Sequence, residues 1–294
     1  MNKYKIFGYN VVSEIHLDCY EHDFLEEDVS IVVKVPQTTI KTRVSYFELG
    51  REKTVFSIDD IGHFEIEKGS KIIVTPDFHI DEKKLEIYIL GTCFGAIMIQ
   101  RNEFPLHGSF IYNGEKGIGI VGESEAGKTT LAAAMVKEDW KIVTDDVIRV
   151  KYHQDVPEVF PSYPSQKLWS SAAKMLNLNI VSSKAVHNRI DKFYYSDSKR
   201  FFSENARLNI LIEIVPSDVG CVEIEVIEKQ KSLNVLLSNT YRYEIIDYSR
   251  KHKEHLIFIS RLCSDIDVYR IRRPRKGYTV NDEVKAIQKI LLLK

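Results

Sequence analysis

The segment at residues 122–129 constrains the fold of this chain more than any other feature of the sequence. It reads Gly-Glu-Ser-Glu-Ala-Gly-Lys-Thr and matches the pattern G-x-x-x-x-G-K-[ST] at every fixed position. An apolar strand pattern at 118–121 precedes it, and a helical pattern at 129–138 follows it. Because a phosphate loop needs a strand before it and a helix after it, the pattern predicts an α/β layer with an anion site at a helix N-terminus.

The expected ligand of this loop is the phosphate chain of a nucleotide, ATP, together with Mg²⁺. Lys128 would reach the β- and γ-phosphate oxygens, and the Thr129 hydroxyl would hold the metal ion. Glu125 is unusual, because an inward carboxylate would repel phosphate, so we expect it to point into solvent. The residues predicted to bind the nucleotide are Gly122, Glu123, Ser124, Glu125, Ala126, Gly127, Lys128, Thr129 and Thr130.

A pair of carboxylates, Asp145 and Asp146, follows the strand predicted at 141–144. A helix of about ten residues carries the chain about 15 Å away from the phosphates, and a strand of about five residues returns it by about 16 Å. The pair should therefore lie at the phosphate end of the sheet. One carboxylate can hold the metal and the other can accept the proton of an attacking hydroxyl. The alternative is one functional carboxylate and one that helps to cap a turn.

His107 lies on the strand predicted at 106–112, which a turn at 113–117 joins to the strand before the phosphate loop. A lone histidine on a strand is more often a structural residue than a catalyst. Here the predicted hairpin sets the two strands side by side and places His107 near the phosphate end of the sheet. That position favours a functional role.

Composition excludes several classes of protein. Lys and Arg number 41 and Asp and Glu 42, giving a net charge of −1, which argues against a general nucleic-acid-binding surface. The longest apolar stretch, 85–99, is shorter than the roughly 20 residues of a membrane span and predicts a buried helix. The four cysteines are widely spaced and no secretory signal opens the chain, so we expect a cytoplasmic protein. Residues 1–83 predict a small β-rich N-terminal domain, and residues 84–294 a catalytic domain.

In order and spacing, His107-Gly108, the phosphate loop and Asp145-Asp146 resemble the catalytic core of HPr kinase/phosphorylase. The resemblance implies an α/β fold with a P-loop kinase core of the HPr kinase and phosphoenolpyruvate carboxykinase type. It implies Asp145 as the base toward a serine hydroxyl, Asp146 near the metal and His107 near the transferred phosphoryl group. It also implies ATP and Mg²⁺ as cofactors.

A subset of HPr-kinase-like proteins, the lasso-peptide precursor kinases, is similar over nearly the whole chain. The shared features are the apolar Leu90-Gly91-x-x-x-Gly95-Ala96 helix, the Pro-Leu-His at 105–107, the loop, the aspartate pair and Pro-Ser-Tyr-Pro-Ser-Gln-Lys-Leu-Trp at 161–169. The E-[LIVMS]-R-G signature of HPr kinase/phosphorylase is absent, and 161–169 stands in its place. This resemblance implies that the acceptor is the C-terminal serine of a lasso-peptide precursor.

Three basic residues are candidate substrate contacts. Lys167 lies in the 161–169 segment, while Arg272 and Arg273 lie in a run of cations at 270–276. The alternative for each is a solvated surface side chain. The expected partner is a peptide or a small protein, with no nucleic acid and no membrane, and the chain could form a homo-oligomer. Two other functions stay open: an HPr(Ser) kinase-type enzyme acting on a small protein, and a nucleotide-binding regulatory module without phosphotransfer.

Overall fold

The computed structural model describes residues 1–35, 47–77, 80, 82–178, 192–195 and 197–292. The chain forms two compact units, one of Met1–Pro105 with Tyr241–Phe258 and the other of Leu106–Thr240 with Ile259–Lys294. The domain boundary predicted after residue 83 therefore falls inside the first unit. The helical segment that begins there packs on the strands of that unit: the Gln100 side chain accepts from the Gly69 N–H at 2.7 Å and donates to the Ile66 carbonyl at 3.2 Å.

The first unit contains a seven-stranded sheet in the order β1-β2-β3-β7-β6-β5-β4. Its strands are β1 (Asn2–Ile6), β2 (Tyr9–Ser13), β3 (Val29–Val33), β4 (Phe47–Leu49), β5 (Lys53–Ile58), β6 (Gly62–Glu67) and β7 (Lys71–Pro76). The pairs β2–β3 and β3–β7 are parallel, and the other pairs are antiparallel. Buried and less buried residues alternate along β2 and β6, as they do in strands with one face on a core.

The apolar stretch predicted as a buried helix forms α1 (Glu82–Tyr88), a π-helical turn (Ile89–Cys93) and α2 (Phe94–Gln100). Every residue from 89 to 99 is buried, which confirms that prediction. Tyr241 packs directly on this helix, since a Cβ at Gly95 would lie 2.9 Å from its ring. No helix in the described part of the chain is both long enough and apolar enough to cross a membrane.

The remaining strands belong to the second unit. They are β8 (Leu106–Tyr112), β9 (Gly117–Val121), β10 (Lys141–Thr144), β11 (Val147–Ile148), β12 (Val150–His153), β13 (Val156–Val159), β14 (Gln166–Trp169), β15 (Lys192–Tyr195), β16 (Ala206–Arg207), β17 (Ile210–Ser217), β18 (Glu223–Ile227) and β19 (Asp267–Pro274). The helices after α2 are α3 (Lys128–Lys137), α4 (Ser170–Met175), α5 (Lys229–Ser238), α6 (Tyr243–Ser249), α7 (His252–Asp265) and α8 (Val280–Leu292). Helix α6 lies in the first unit, and the division between the units falls within α7.

The main sheet of the second unit has the order β10-β8-β9-β17-β19-β18. The pairs β9–β17 and β17–β19 are parallel, while β8 is antiparallel to both β9 and β10. Strand β10 therefore runs in the same direction as β9, so β9, β10, β17 and β19 all end at one edge of the sheet. The expected α/β layer with a partly parallel sheet is confirmed.

One face of this sheet is covered by α3 and α8. Apolar residues from the strands, such as Ile120, Ile212 and Ile271, pack with Leu131 of α3 and Ile287 of α8, and all five are fully buried. Burial of such side chains contributes about 1.5–3 kcal/mol each relative to exposure. This core fixes α3 against β9, and thereby fixes the loop that joins them.

Candidate functional site

The phosphate-loop pattern forms the connection between β9 and α3. Two of its glycines are required by geometry. Gly122 has φ 145°, and a Cβ there would lie 2.6 Å from the Ile214 carbonyl oxygen, while Gly127 precedes the helix in a left-handed conformation with φ 109°. Glu125 also has a positive φ of 66° and is exposed, as expected from its charge.

Lys128 begins α3, and its ammonium group turns back onto the loop. Its Nζ donates to the Gly122 carbonyl at 2.8 Å and to the Glu123 carbonyl at 2.9 Å. Three other loop residues, at 123–125, are exposed, and Thr129 and Thr130 are partly exposed. The N-terminus of a ten-residue helix and a nearby ammonium group together form a site suited to an anion.

Asp145 lies directly after β10 and is buried, with 4% of its surface exposed. One carboxylate oxygen, Oδ1, accepts from the Ser109 hydroxyl at 2.6 Å and from the Thr129 hydroxyl at 3.1 Å. The other, Oδ2, accepts from the Lys167 backbone N–H at 3.1 Å. Burial raises the pKa of Asp145 above its usual value, and the Ser109 hydrogen bond opposes that shift. The structure thus joins the predicted carboxylate directly to the phosphate loop.

Asp146 has φ 75° and marks the kink between β10 and β11. Its Oδ2 accepts from the Lys167 Nζ at 3.0 Å, and its Oδ1 lies 3.6 Å from the His107 Nδ1. Lys167 therefore contacts both aspartates, one through its backbone and one through its side chain. Lys167, which the sequence offers as a candidate substrate contact, thus lies within the site and links the two aspartates.

His107 is the second residue of β8, and its Nδ1 lies 3.1 Å from the Asp146 backbone carbonyl oxygen. A carbonyl oxygen only accepts, so Nδ1 carries the proton and Nε2 of the neutral ring is left as an acceptor. Burial lowers the pKa of His107, with a further contribution from the nearby Lys128 charge, although Asp146 opposes the shift. The ring is therefore neutral near pH 7.

The two arginines predicted as substrate contacts lie on opposite faces of β19, because successive strand residues alternate between faces. Arg272 pairs with Glu225 of β18, with Nη2 at 2.9 Å from Oε2. Arg273 lies on the face that carries Ile271 and α8, and does not share the surroundings of Arg272. Arg272 and Arg273 therefore do not belong to one basic patch, because they lie on opposite faces of the sheet.

Arg273 contacts the phosphate loop itself. Its Nε and Nη2 donate to the Ala126 carbonyl oxygen at 3.0 and 2.9 Å. Glu283 of α8 lies 3.9 Å from the Arg273 Nε and accepts from the Thr279 hydroxyl at 2.7 Å. The Arg273 guanidinium group thus stabilises the loop through the Ala126 carbonyl, and the Glu283 carboxylate lies close to the same guanidinium group.

Sequence reasoning missed Ser109 and Glu283. Ser109 is two residues after His107 on the same strand, so the period of two would have placed both side chains on one face. Glu283 lies in the first turn of α8, and nothing in the local sequence connects it with a loop more than 150 residues earlier. Only the packing of α8 against the sheet reveals that contact.

The site contains oxygen donors that suit Mg²⁺. The Thr129 hydroxyl and the Asp145 carboxylate are in contact, and Asp146 is the next residue in the chain. Hydroxyl, carboxylate and phosphate oxygens are the ligands that Mg²⁺ prefers, usually with several waters retained. Among the described residues, no group of three or more His, Cys, Asp or Glu side chains is arranged to hold a metal alone. The donor set therefore fits a metal ion shared with a nucleotide rather than a closed protein site.

Comparison with known proteins adds little to this geometry. No protein-family model matches the chain, and no curated protein matches it. A search of solved structures finds similarity to the HPr(Ser) kinase/phosphatase from Coxiella burnetii, with 14% sequence identity, 64% of this chain and 90% of that chain covered, and a TM-score of 0.33. A likeness this low supports no conclusion about function, so the residues of the site itself carry the inference.

Proposed function

We propose that this protein is a Mg²⁺-dependent kinase that transfers the γ-phosphoryl group of ATP to a serine hydroxyl of a peptide. The observation that supports this most strongly is the contact of Asp145 with the phosphate loop, at 3.1 Å from the Thr129 hydroxyl. A loop that only bound a nucleotide would need no carboxylate pair beside it, with one member, Asp145, buried. A kinase needs one carboxylate near the metal and one near the attacking hydroxyl.

In this mechanism the loop N–H groups and Lys128 bind the phosphate chain. Lys128 exchanges its two carbonyl acceptors for phosphate oxygens when the nucleotide enters. Thr129 and Asp146 would hold Mg²⁺, which neutralises charge on the phosphates. Asp145 accepts the proton of the serine hydroxyl as its oxygen forms a bond to the γ-phosphorus and the bond to the ADP leaving oxygen breaks. Its raised pKa moves it toward the range in which a carboxylate is an effective base.

We place His107 near the transferred γ-phosphoryl group, at the end of β8 that faces the loop. Because Nε2 of its neutral ring is an acceptor, it suits a hydrogen bond from a hydroxyl or a water rather than a bond to a phosphoryl oxygen. Lys167 contacts both aspartates. We propose that its ammonium group is a second cation, besides Lys128, for the transferred phosphoryl group. Asp146 would hold the metal ion, and the Lys167 ammonium group, which contacts Asp146 at 3.0 Å, would add a positive charge beside it.

The acceptor is proposed from the sequence resemblance: the C-terminal serine of a lasso-peptide precursor. The second candidate is a serine of a small protein of the HPr type. The site geometry is compatible with both, since it defines the base and the loop but not the surface that selects the acceptor. A nucleotide-dependent regulatory module is the outcome if ATP binds and no acceptor gains phosphate.

The test is mass spectrometry after incubation with Mg-ATP and, in parallel, a precursor peptide ending in serine and an HPr protein. We expect a phosphoryl mass gain on the terminal serine of the precursor. Asp145→Asn should lower the transfer rate by about 10²–10⁴-fold while ATP still binds. Asp139→Asn is the matched control, since Asp139 is exposed beyond the far end of α3.

Three results would change the proposal. Transfer to HPr alone would favour the second acceptor. Normal transfer by Asp145→Asn, with loss of transfer and normal metal binding in Asp146→Asn, would exchange the roles of the two aspartates. ATP binding without transfer to either acceptor would replace the kinase by the regulatory module.

A further inference from the structure

A cavity lies on the other side of the phosphate loop from the aspartate pair. Its volume is about 430 Å³, within the range of small-molecule sites. Glu123 of the loop lines it, together with the ends of β17 and β19. In the sheet, β8, which carries His107, and β10, which precedes Asp145, lie on one side of β9. Strands β17 and β19 lie on the other side. The loop therefore separates the cavity from the proposed base.

The walls of this cavity carry charged side chains, and the positive charges are paired with negative ones. Arg270 makes two contacts of 2.7 Å with Glu213, through Nε and Nη2. Arg272 contacts Glu225 at 2.9 Å, and Arg275 contacts Asp218 at 3.0 Å. Each arginine in the lining thus has a carboxylate partner, and Glu123 adds a further negative charge.

This balance argues against a second phosphate or another anion as the occupant. An anion would have to compete with carboxylates already in contact with the guanidinium groups. A planar, uncharged and polar group meets no such penalty, because guanidinium planes stack on aromatic rings, and carboxylates accept from hydroxyl groups. A base and a ribose have these properties.

The backbone of β17 adds hydrogen-bonding groups. Its ladder with β9 ends at the pair of Glu213 with Val121, whereas its ladder with β19 continues to Ser217. Residues 214–217 line the cavity on the side where β9 has ended. Backbone groups beyond Glu213 thus have no β9 partner and can meet the edge of a base. Pro216 offers only its carbonyl, and the Val215 carbonyl already accepts from the Ser217 hydroxyl at 3.1 Å.

We propose that this cavity holds the nucleoside part of the nucleoside triphosphate, with Arg272 against the base and Glu123 and Glu213 available to the ribose hydroxyls. The proposal rests on the proposed function and extends it. It also satisfies the geometry of phosphoryl transfer, in which attacking and leaving oxygens lie roughly in line across the phosphorus. The acceptor enters on the Asp145 side, and the leaving ADP lies on the cavity side.

The test compares the equilibrium binding of Mg-ATP with that of inorganic Mg-tripolyphosphate, which lacks a nucleoside. Val215→Trp fills the cavity from β17, and Arg272→Met removes the guanidinium group but keeps an apolar stem. We expect Val215→Trp to weaken ATP binding by at least tenfold and Arg272→Met by about fivefold to tenfold, with tripolyphosphate binding unchanged in both. Arg261→Met is the matched control, since Arg261 also pairs with an exposed carboxylate, Asp155.

Unchanged ATP binding in both variants would overturn the nucleoside assignment. Equal weakening of ATP and tripolyphosphate would also overturn it, because it would show that the two residues act on the phosphate loop. Failure of the unmodified protein to bind either ligand would overturn the proposed function itself, and the nucleoside assignment with it. Circular dichroism on each variant separates these results from loss of folding.

Discussion

Arg273→Met is expected to weaken nucleotide binding although Arg273 need not touch the nucleotide. The guanidinium group makes two hydrogen bonds to the Ala126 carbonyl oxygen, at 3.0 and 2.9 Å, and its side chain is only 15% exposed. Hydrogen bonds to charged groups contribute about 1.5–3 kcal/mol. Because both bonds share one acceptor, we assign about 2 kcal/mol of stabilisation to the two bonds together. If the binding free energy falls by that amount, the Kd for Mg-ATP rises about 30-fold.

The reason for this loss is the conformation of the loop. Ala126 directly precedes Gly127, whose left-handed backbone starts α3, so the carbonyl that Arg273 holds sets the direction of the following N–H groups. Without the guanidinium group the loop must be ordered by the nucleotide, and the binding free energy falls by that cost. Glu283 would lose its cation while buried, and its pKa, already raised by burial, would rise further.

The assay is isothermal titration with Mg-ATP on the unmodified protein, Arg273→Met and Arg273→Lys, with thermal unfolding in parallel. Lysine restores the charge but not the paired donors, so its Kd should fall between the other two. Glu283→Gln should weaken binding in the same direction, and less than additively with Arg273→Met, because the two residues share one contact network. An unchanged Kd in Arg273→Met, or a lowered Tm with normal binding, would refute the account and leave Arg273 a structural residue.

Two further predictions concern stability. Burial lowers the pKa of His255 to about 4, so between about pH 6.5 and 4 the unfolded chain binds a proton that the folded protein does not. The free energy of unfolding should therefore fall by up to about 3 kcal/mol as the pH falls through that window; His255→Phe should flatten this dependence in urea titrations, and an unchanged slope would contradict it. Gly108→Ala should destabilise the protein by several kcal/mol, because its Cβ would lie 2.3 Å from the Ile120 carbonyl oxygen; Gly220→Ala, with open space around it, is the control, and equal Tm values would contradict the prediction.

The local part of the site could be predicted from the sequence. The hairpin of β8 and β9, the loop and the return of Asp145 to the same edge each depend on patterns within about 40 residues of Gly122. Strand β8 and β10 have the predicted bounds, and α3 differs from its prediction by one residue at each end. These elements combine strong periodicity with clear turn signals, which is why sequence reasoning succeeds there.

The remainder depended on contacts between distant segments. Strand β19 runs from Asp267 to Pro274, so most of the run of cations lies within a strand, and this places Arg272 and Arg273 on opposite faces. From the sequence, the segment at 270–276 indicates only a run of charge. It predicts neither the contact of Arg273 with the loop nor the position of Arg272 in the cavity wall. The contact of Lys167 with both aspartates could not be foreseen either, because no local rule brings β14 to the end of β10.

The order of strands in the main sheet has a consequence for synthesis on the ribosome. Strand β19 lies between β17 and β18, yet it is made after both of them. A nascent chain that has emerged up to α7 already contains the complete loop motif and both aspartates, but the position between β17 and β18 is not yet filled. The guanidinium group that holds Ala126 arrives only with that strand. Full affinity for a nucleotide therefore requires the segment of the chain that follows α7.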